Sequence, residues 1–209
     1  MTAVRKLREA IDETADRWES AAASLETCIA SPRPAIARRA QSLRQEAART
    51  AGRLRQVLEE ARELAPEARE RVVTEIDQFR NYLNEGGAGE TESLRIKKIK
   101  QSRQRLEKCL GCIAEDVHPD FEQAVSDWLR AQMELETGLD LMARRLACER
   151  AGNRAQLEAR KPEILQRIEH FRNLLKERRV SAARRGRPFG PEMSAAYQKL
   201  CNTFQHPAG

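Results

Sequence analysis

The chain has 209 residues, of which 33% are charged and 4% aromatic, and it carries a net charge of +6. Ala, Arg, Glu and Leu dominate and no run rich in Val, Ile, Thr and Tyr offers a strand, so sheet folds are excluded in favour of long helices around one large or two small cores. The opening MTAVRKLREAIDETADRW lacks an apolar core, and no stretch approaches about 18 apolar residues; this excludes a secretory leader and a membrane span and predicts a soluble, cytoplasmic protein.

In the first segment Val4, Leu7, Ile11, Ala15, Trp18, Ala22, Leu25 and Ile29 step by three or four, the stripe of an amphipathic helix. Ser31-Pro32-Arg33-Pro34 stops it, because proline disfavours the helical region for the residue before it and suits the first turn of the next helix. A second helix is predicted from about Pro34 to Leu64, with Ile36, Ala40, Leu43, Ala47, Ala51, Leu54 and Leu58 in register. Pro66 opens a third, with stripe Val72, Ile76, Phe79, Leu83, ended by Gly86-Gly87-Ala88-Gly89. The pattern then restarts. A fourth helix is predicted over about Glu92 to Val117 and is broken at His118-Pro119-Asp120. A fifth runs past Gly152, with Val125, Trp128, Gln132, Leu135, Leu139, Met142 and Leu146 inward, and a sixth starts at Pro162 with stripe Ile164, Ile168, Phe171, Leu175.

Residues 71–85, RVVTEIDQFRNYLNE, align without gaps on residues 163–177, EILQRIEHFRNLLKE, sharing Ile76/Ile168, Phe79/Phe171, Arg80/Arg172, Asn81/Asn173, Leu83/Leu175 and Glu85/Glu177. The expected fold is therefore all-α, with two tandem antiparallel three-helix units related by internal duplication and a C-terminal amphipathic helix. The expected domains are a first helical repeat over residues 1–85, a Gly-rich linker over 86–91, a second repeat over 92–178, a basic linker over 179–190 and the terminal helix over 191–205. Arg80/Arg172 and Asn81/Asn173 lie about 100° and 200° round from the phenylalanines. They are either inherited with the duplication or kept because this face meets the same kind of partner twice.

Cys109-Leu110-Gly111-Cys112, followed by His118, is a CxxC without the second pair a zinc site needs and without the strand that precedes a thioredoxin-like motif. Sliding the first helix onto the fourth aligns Cys112 with Cys28, which has no such partner, so small packing residues explain the cysteines better than metal or redox chemistry. The five cysteines, Cys28, Cys109, Cys112, Cys148 and Cys201, are odd in number and are expected to be reduced. The three histidines, His118, His170 and His206, have no Ser, Cys or paired carboxylate at a spacing that suits nucleophilic or acid-base catalysis. No catalytic residue, metal ligand or cofactor site is expected.

The charge is uneven: residues 179–209 carry five Lys and Arg against one acid, whereas residues 1–90 carry 15 against 16. Within the fourth helix Lys97, Lys98, Lys100, Arg105 and Lys108 fall on one broad arc opposite the apolar stripe, either as a solvated face or as a contact for phosphate or an acidic partner. Near the C-terminus, Arg185-Gly186-Arg187-Pro188 resembles the core of an AT-hook, with Arg184 where a proline usually stands. That resemblance implies arginines along the minor groove of A·T-rich DNA; a basic connecting loop is the other reading, since the segment from Ser181 lacks a helix stripe. Beyond it Met193, Tyr197, Leu200 and Phe204 recur at i, i+4, i+7 and i+11, a face that docks either on the chain itself or on another molecule.

Together these features predict a non-enzymatic helical adaptor or scaffold that mediates protein-protein contacts or self-association. The alternative is a nucleic-acid-associated protein that touches the phosphate backbone through the basic helix face and Arg184, Arg185 and Arg187.

Overall fold

The computed structural model describes residues 3–60, 66–84, 92–110 and 119–204. Among these, 94% are helical and none lies in a strand, so the fold is all-α. The helices are α1 (Ala3–Ala30), α2 (Arg33–Glu60), α3 (Pro66–Asn84), α4 (Glu92–Leu110), α5 (Pro119–Arg150), α6 (Arg154–Arg185) and α7 (Pro191–Cys201), the last continued by a 3-10 turn over Asn202–Phe204. Proline sets three of the starts. Pro66, Pro119 and Pro191 each open a helix at the position where a missing N–H costs no hydrogen bond. Between α1 and α2 the chain turns at Ser31-Pro32, with the Ser31 N–H donating to the Thr27 carbonyl at 3.1 Å and the Ala35 N–H to that of Pro32 at 2.9 Å.

Two boundaries differ from the expectation. The fifth helix ends at Arg150 instead of passing Gly152, because Gly152 adopts φ +80°, a left-handed conformation that closes the helix and begins a new one at Arg154. Pro162 accordingly lies inside α6 rather than at its start, where it leaves the Glu158 carbonyl without an amide donor of its own helix. The second difference is at the other end of α6. The segment expected to be a loop from Ser181 is helical through Arg185 and buries Ala182. Gly186 at φ 60° then ends it, with the amides of Gly186 and Arg187 both donating to the Ala182 carbonyl. The Gly86–Gly89 linker, Cys112 and the His118 turn lie outside the described residues.

Two compact units form, residues 1–39 with 141–209, and residues 40–140. Each draws on both halves of the chain. In the first, α1 lies antiparallel against α6, as shown by ion pairs that run in opposite directions along the two helices: Arg172 with Glu19 and Glu26, Arg179 with Asp12 and Asp16. The core between them is the expected stripe, Ile11, Ala15, Trp18, Ala22 and Leu25 facing Ile164, Ile168, Phe171 and Leu175, all buried. In the second, α3 packs on α4 around Val72, Ile76, Phe79, Ile99 and Leu106, and α5 adds Phe121, Trp128 and Leu135. Ala47 and Ala51 of α2 are fully buried, which lets that helix approach its neighbours closely. Both repeated phenylalanines are interior and each meets a tryptophan edge-on. Phe79 stands 5.4 Å from Trp128 at 72°, and Phe171 stands 6.3 Å from Trp18 at 61°.

Candidate functional site

The five basic residues of α4 separate into two groups. Lys97, Lys100 and Lys108 are exposed, on an arc of about 80° given 100° per residue. Lys98, half-buried, and Arg105, exposed, are instead tied to side chains of α3. The Lys98 ammonium sits 5.6 Å from the centroid of the Tyr82 ring, a cation–π contact, and Arg105 donates to Glu75 at 3.0 Å and to the Tyr82 hydroxyl at 3.4 Å. The sequence placed all five on one face because a helical wheel does not see the neighbouring helix, and Tyr82 and Glu75 lie on that neighbour.

Arg184, Arg185 and Arg187 are exposed. The first two occupy the last turn of α6, where cations complement the negative end of the helix dipole. Arg185 is thus helical and Gly186 is folded into a cap, a conformation unlike the extended arm that an AT-hook lays along a groove. The antiparallel pairing of α1 and α6 adds two residues that the sequence reading did not connect with them. A side chain at Gly186 would approach Leu7 Cδ2 at 4.0 Å, so the N-terminal turns of α1 and the C-terminal turn of α6 share one end of their unit. Lys6 and Arg8 are exposed there, and neither they nor Arg184, Arg185 and Arg187 have an ion-pair partner among the described residues.

The terminal stripe docks within the chain. Met193, Leu200 and Phe204 are buried and Tyr197 is half-buried, with α7 lying against α1 and α6. Trp18 anchors it, with ring centroids 5.4 Å from Tyr197 and 5.0 Å from Phe189. Arg144 of α5 donates to the Cys201 carbonyl at the far end of α7, at 3.4 Å, and the Thr203 hydroxyl donates to the Leu200 carbonyl at 2.6 Å.

Two buried ionic clusters were not legible as such. In the second unit Arg103 of α4 donates to Glu136 of α5 at 3.0 Å and also pairs with Glu107. Burial pushes the Glu136 carboxyl above its ordinary value, an effect that Arg103 opposes. In the first unit Arg145 of α5, only 6% exposed, donates its Nε to the Cys28 carbonyl at 3.0 Å, satisfying an acceptor in the last turn of α1. Its Nη1 lies 2.8 Å from Glu149 Oε1 as an ion pair without hydrogen-bond alignment, while the other Glu149 oxygen accepts from Arg33 at 3.0 Å. Cys28 itself is fully buried, and its thiol is pushed up to about 12 by burial, opposed by the nearby Arg145 charge.

The repeated Arg-Asn pairs serve unlike surroundings. Arg172 ties α6 to α1 through Glu19 and Glu26, whereas Arg80 is exposed and has no ion-pair partner among the described residues. Among the described residues no three His, Cys, Asp or Glu side chains converge as a metal site would require, and no helix is long and apolar enough to cross a membrane. No family model, no curated protein and no solved structure matches this chain.

Proposed function

We propose that this chain is a non-enzymatic helical adaptor or scaffold whose contacts with protein partners are made through charged surface. The observation that carries this reading is where the apolar surface goes. The stripes of the helices, α7 included, are spent inside the units, and the exposed large apolar side chains among the described residues are Leu94 and Val180 alone. A partner therefore meets Lys, Arg, Asp and Glu, which give register and encounter rate more than raw affinity. The test is reconstitution with a purified protein first found by proximity labelling in cells. A dissociation constant that weakens with salt and a loss of binding on charge reversal at Lys97, Lys100 and Lys108, with the helical fold intact, support the reading. Salt-independent binding, or turnover of a substrate by the purified chain, overturns it.

A second reading has its own observation, the convergence of Lys6, Arg8, Arg184, Arg185 and Arg187 at one end of the first unit. Such a cluster suits the phosphate backbone of a nucleic acid, bound with little base readout. Each duplex phosphate neutralised adds about 0.9 to the slope of log affinity against log salt. If the cluster binds DNA, replacing all five by Ala should remove most of the slope measured with a 20-base-pair duplex; absence of binding at about 50 mM salt sinks the idea.

A further inference from the structure

Where α1 ends and α2 begins, the C-terminal turn of α5 and the first turns of α6 enclose a cleft of about 450 Å³. Six charged side chains line it: Arg33, Arg145, Glu149, Arg154, Glu158 and Lys161. Four cations against two carboxylates leave an excess of two positive charges. The scaffold accounts for three of the six. Glu149 is shared between Arg145 and Arg33, and Arg145 also holds the Cys28 carbonyl, so this trio fixes the turn between α1 and α2 to α5.

Arg154, Glu158 and Lys161 are not used in that way. Spaced i, i+4 and i+7, they lie on one face of α6 and line the cleft. Glu158 is placed to pair with either cation, yet no ion pair forms, and Arg154 and Lys161 have no carboxylate partner among the described residues. Arg33 and Arg154 are also the first residues of their helices, the end at which an anion is favoured and a cation is not. Neither α2 nor α6 has an acidic residue in its first turn, and Asn153 makes no side-chain cap on α6. The local field thus lacks an anion that the fold itself does not supply.

We propose that this cleft binds a small phosphomonoester. A phosphate dianion matches the excess charge of two. Guanidinium groups present paired donors to its oxygens, and the lysine acts as a point charge beside them. The cleft is larger than a phosphate group alone, which leaves room for a short organic substituent.

The test is titration of the full chain with glycerol 2-phosphate, and with acetate as a singly charged control, by calorimetry and by thermal shift. The proposal expects saturable binding of the phosphomonoester in the sub-millimolar range and none of acetate. Arg154→Ala and Lys161→Ala should each weaken it about tenfold, and Glu158→Gln should strengthen it severalfold, with circular dichroism unchanged in all three. The double variant Arg184→Ala/Arg185→Ala, at the other end of the unit, should bind as the parent does. Absence of saturable binding overturns the proposal, as does binding that survives loss of Arg154 and Lys161 or is abolished by the Arg184/Arg185 variant.

Discussion

Tyr197 stacks on Trp18, the two rings 24° from parallel with centroids 5.4 Å apart, so a residue of the terminal helix completes the core around a residue of the first one. Alone, an 11-residue helix would be marginal in water. Deleting residues 190–209 removes Met193, Leu200 and Phe204 from buried sites, which at typical truncation costs should destabilise the first unit by about 3 kcal/mol or more. Thermal melts should show the drop, and a dye that reports exposed apolar surface should bind more strongly. Unchanged melting would mean that α7 rests on α1 and α6 without stabilising them.

The Arg103–Glu136 pair responds asymmetrically to mutation. Arg103→Ala leaves a buried carboxylate without its cation and should cost about 3 kcal/mol at neutral pH, whereas Glu136→Gln removes the charge that burial penalises and should be close to neutral. The pH dependence follows the same logic. A carboxyl raised on folding favours its protonated form, so its contribution is fully present below the unfolded value of about 4.3 and is lost as pH rises through the folded value. Denaturant titrations across acidic to neutral pH should show that slope in the parent and a shallower one in Glu136→Gln.

Gln132 is fully buried in α5, and neither its amide nitrogen nor its amide oxygen has a hydrogen-bond partner. Replacing a buried polar group that makes no bonds by an apolar one of similar shape relieves its desolvation cost. Gln132→Met should therefore stabilise the second unit by about 1 kcal/mol, read as a higher denaturation midpoint with unchanged slope. A destabilised variant would show that the amide is bonded in solution.

Alkylation should separate the thiols. With its acidity pushed to about 12 and no exposed surface, Cys28 is nearly all thiol at pH 8 and is shielded from reagent. Cys109 and Cys201 are partly exposed and should react first under native conditions, with Cys28 reacting only after unfolding. Mass spectrometry of a time course with iodoacetamide gives the order directly.

Helix identity was readable because the stripe residues are nearly all interior: the three- and four-residue steps from Ile11 to Ile29 and from Ile164 to Leu175 describe faces that are buried. The α5–α6 break was less so. Pro162 is a strong stop signal, since inside a helix it forfeits a bond and crowds the carbonyl four residues back, yet α6 continues through it, and the break falls instead at Gly152, which reaches the left-handed conformation that a break needs. Charged residues were the least legible. A wheel assigns Lys98, Arg105 and Arg172 to solvent, and it is Tyr82, Glu75, Glu19 and Glu26 on other helices that claim them. The grouping of Lys6 and Arg8 with Arg184, Arg185 and Arg187 depends on residues almost the whole chain apart, a pairing that no local pattern encodes.

The partnership of α1 with α6 has a cost in time during synthesis. Arg172 finds Glu19 across 153 residues of chain, so α1 leaves a ribosome well before α6 and must wait for it. At roughly 5 to 20 residues per second that interval is about 8 to 30 s, during which Trp18 lacks the cover that Phe171 and Tyr197 later give it. The acids along α1, Asp12, Asp16, Glu19 and Glu26, keep the waiting helix soluble by charge and later become the sites that α6 grips, so one set of residues serves the nascent chain first and the folded unit afterwards.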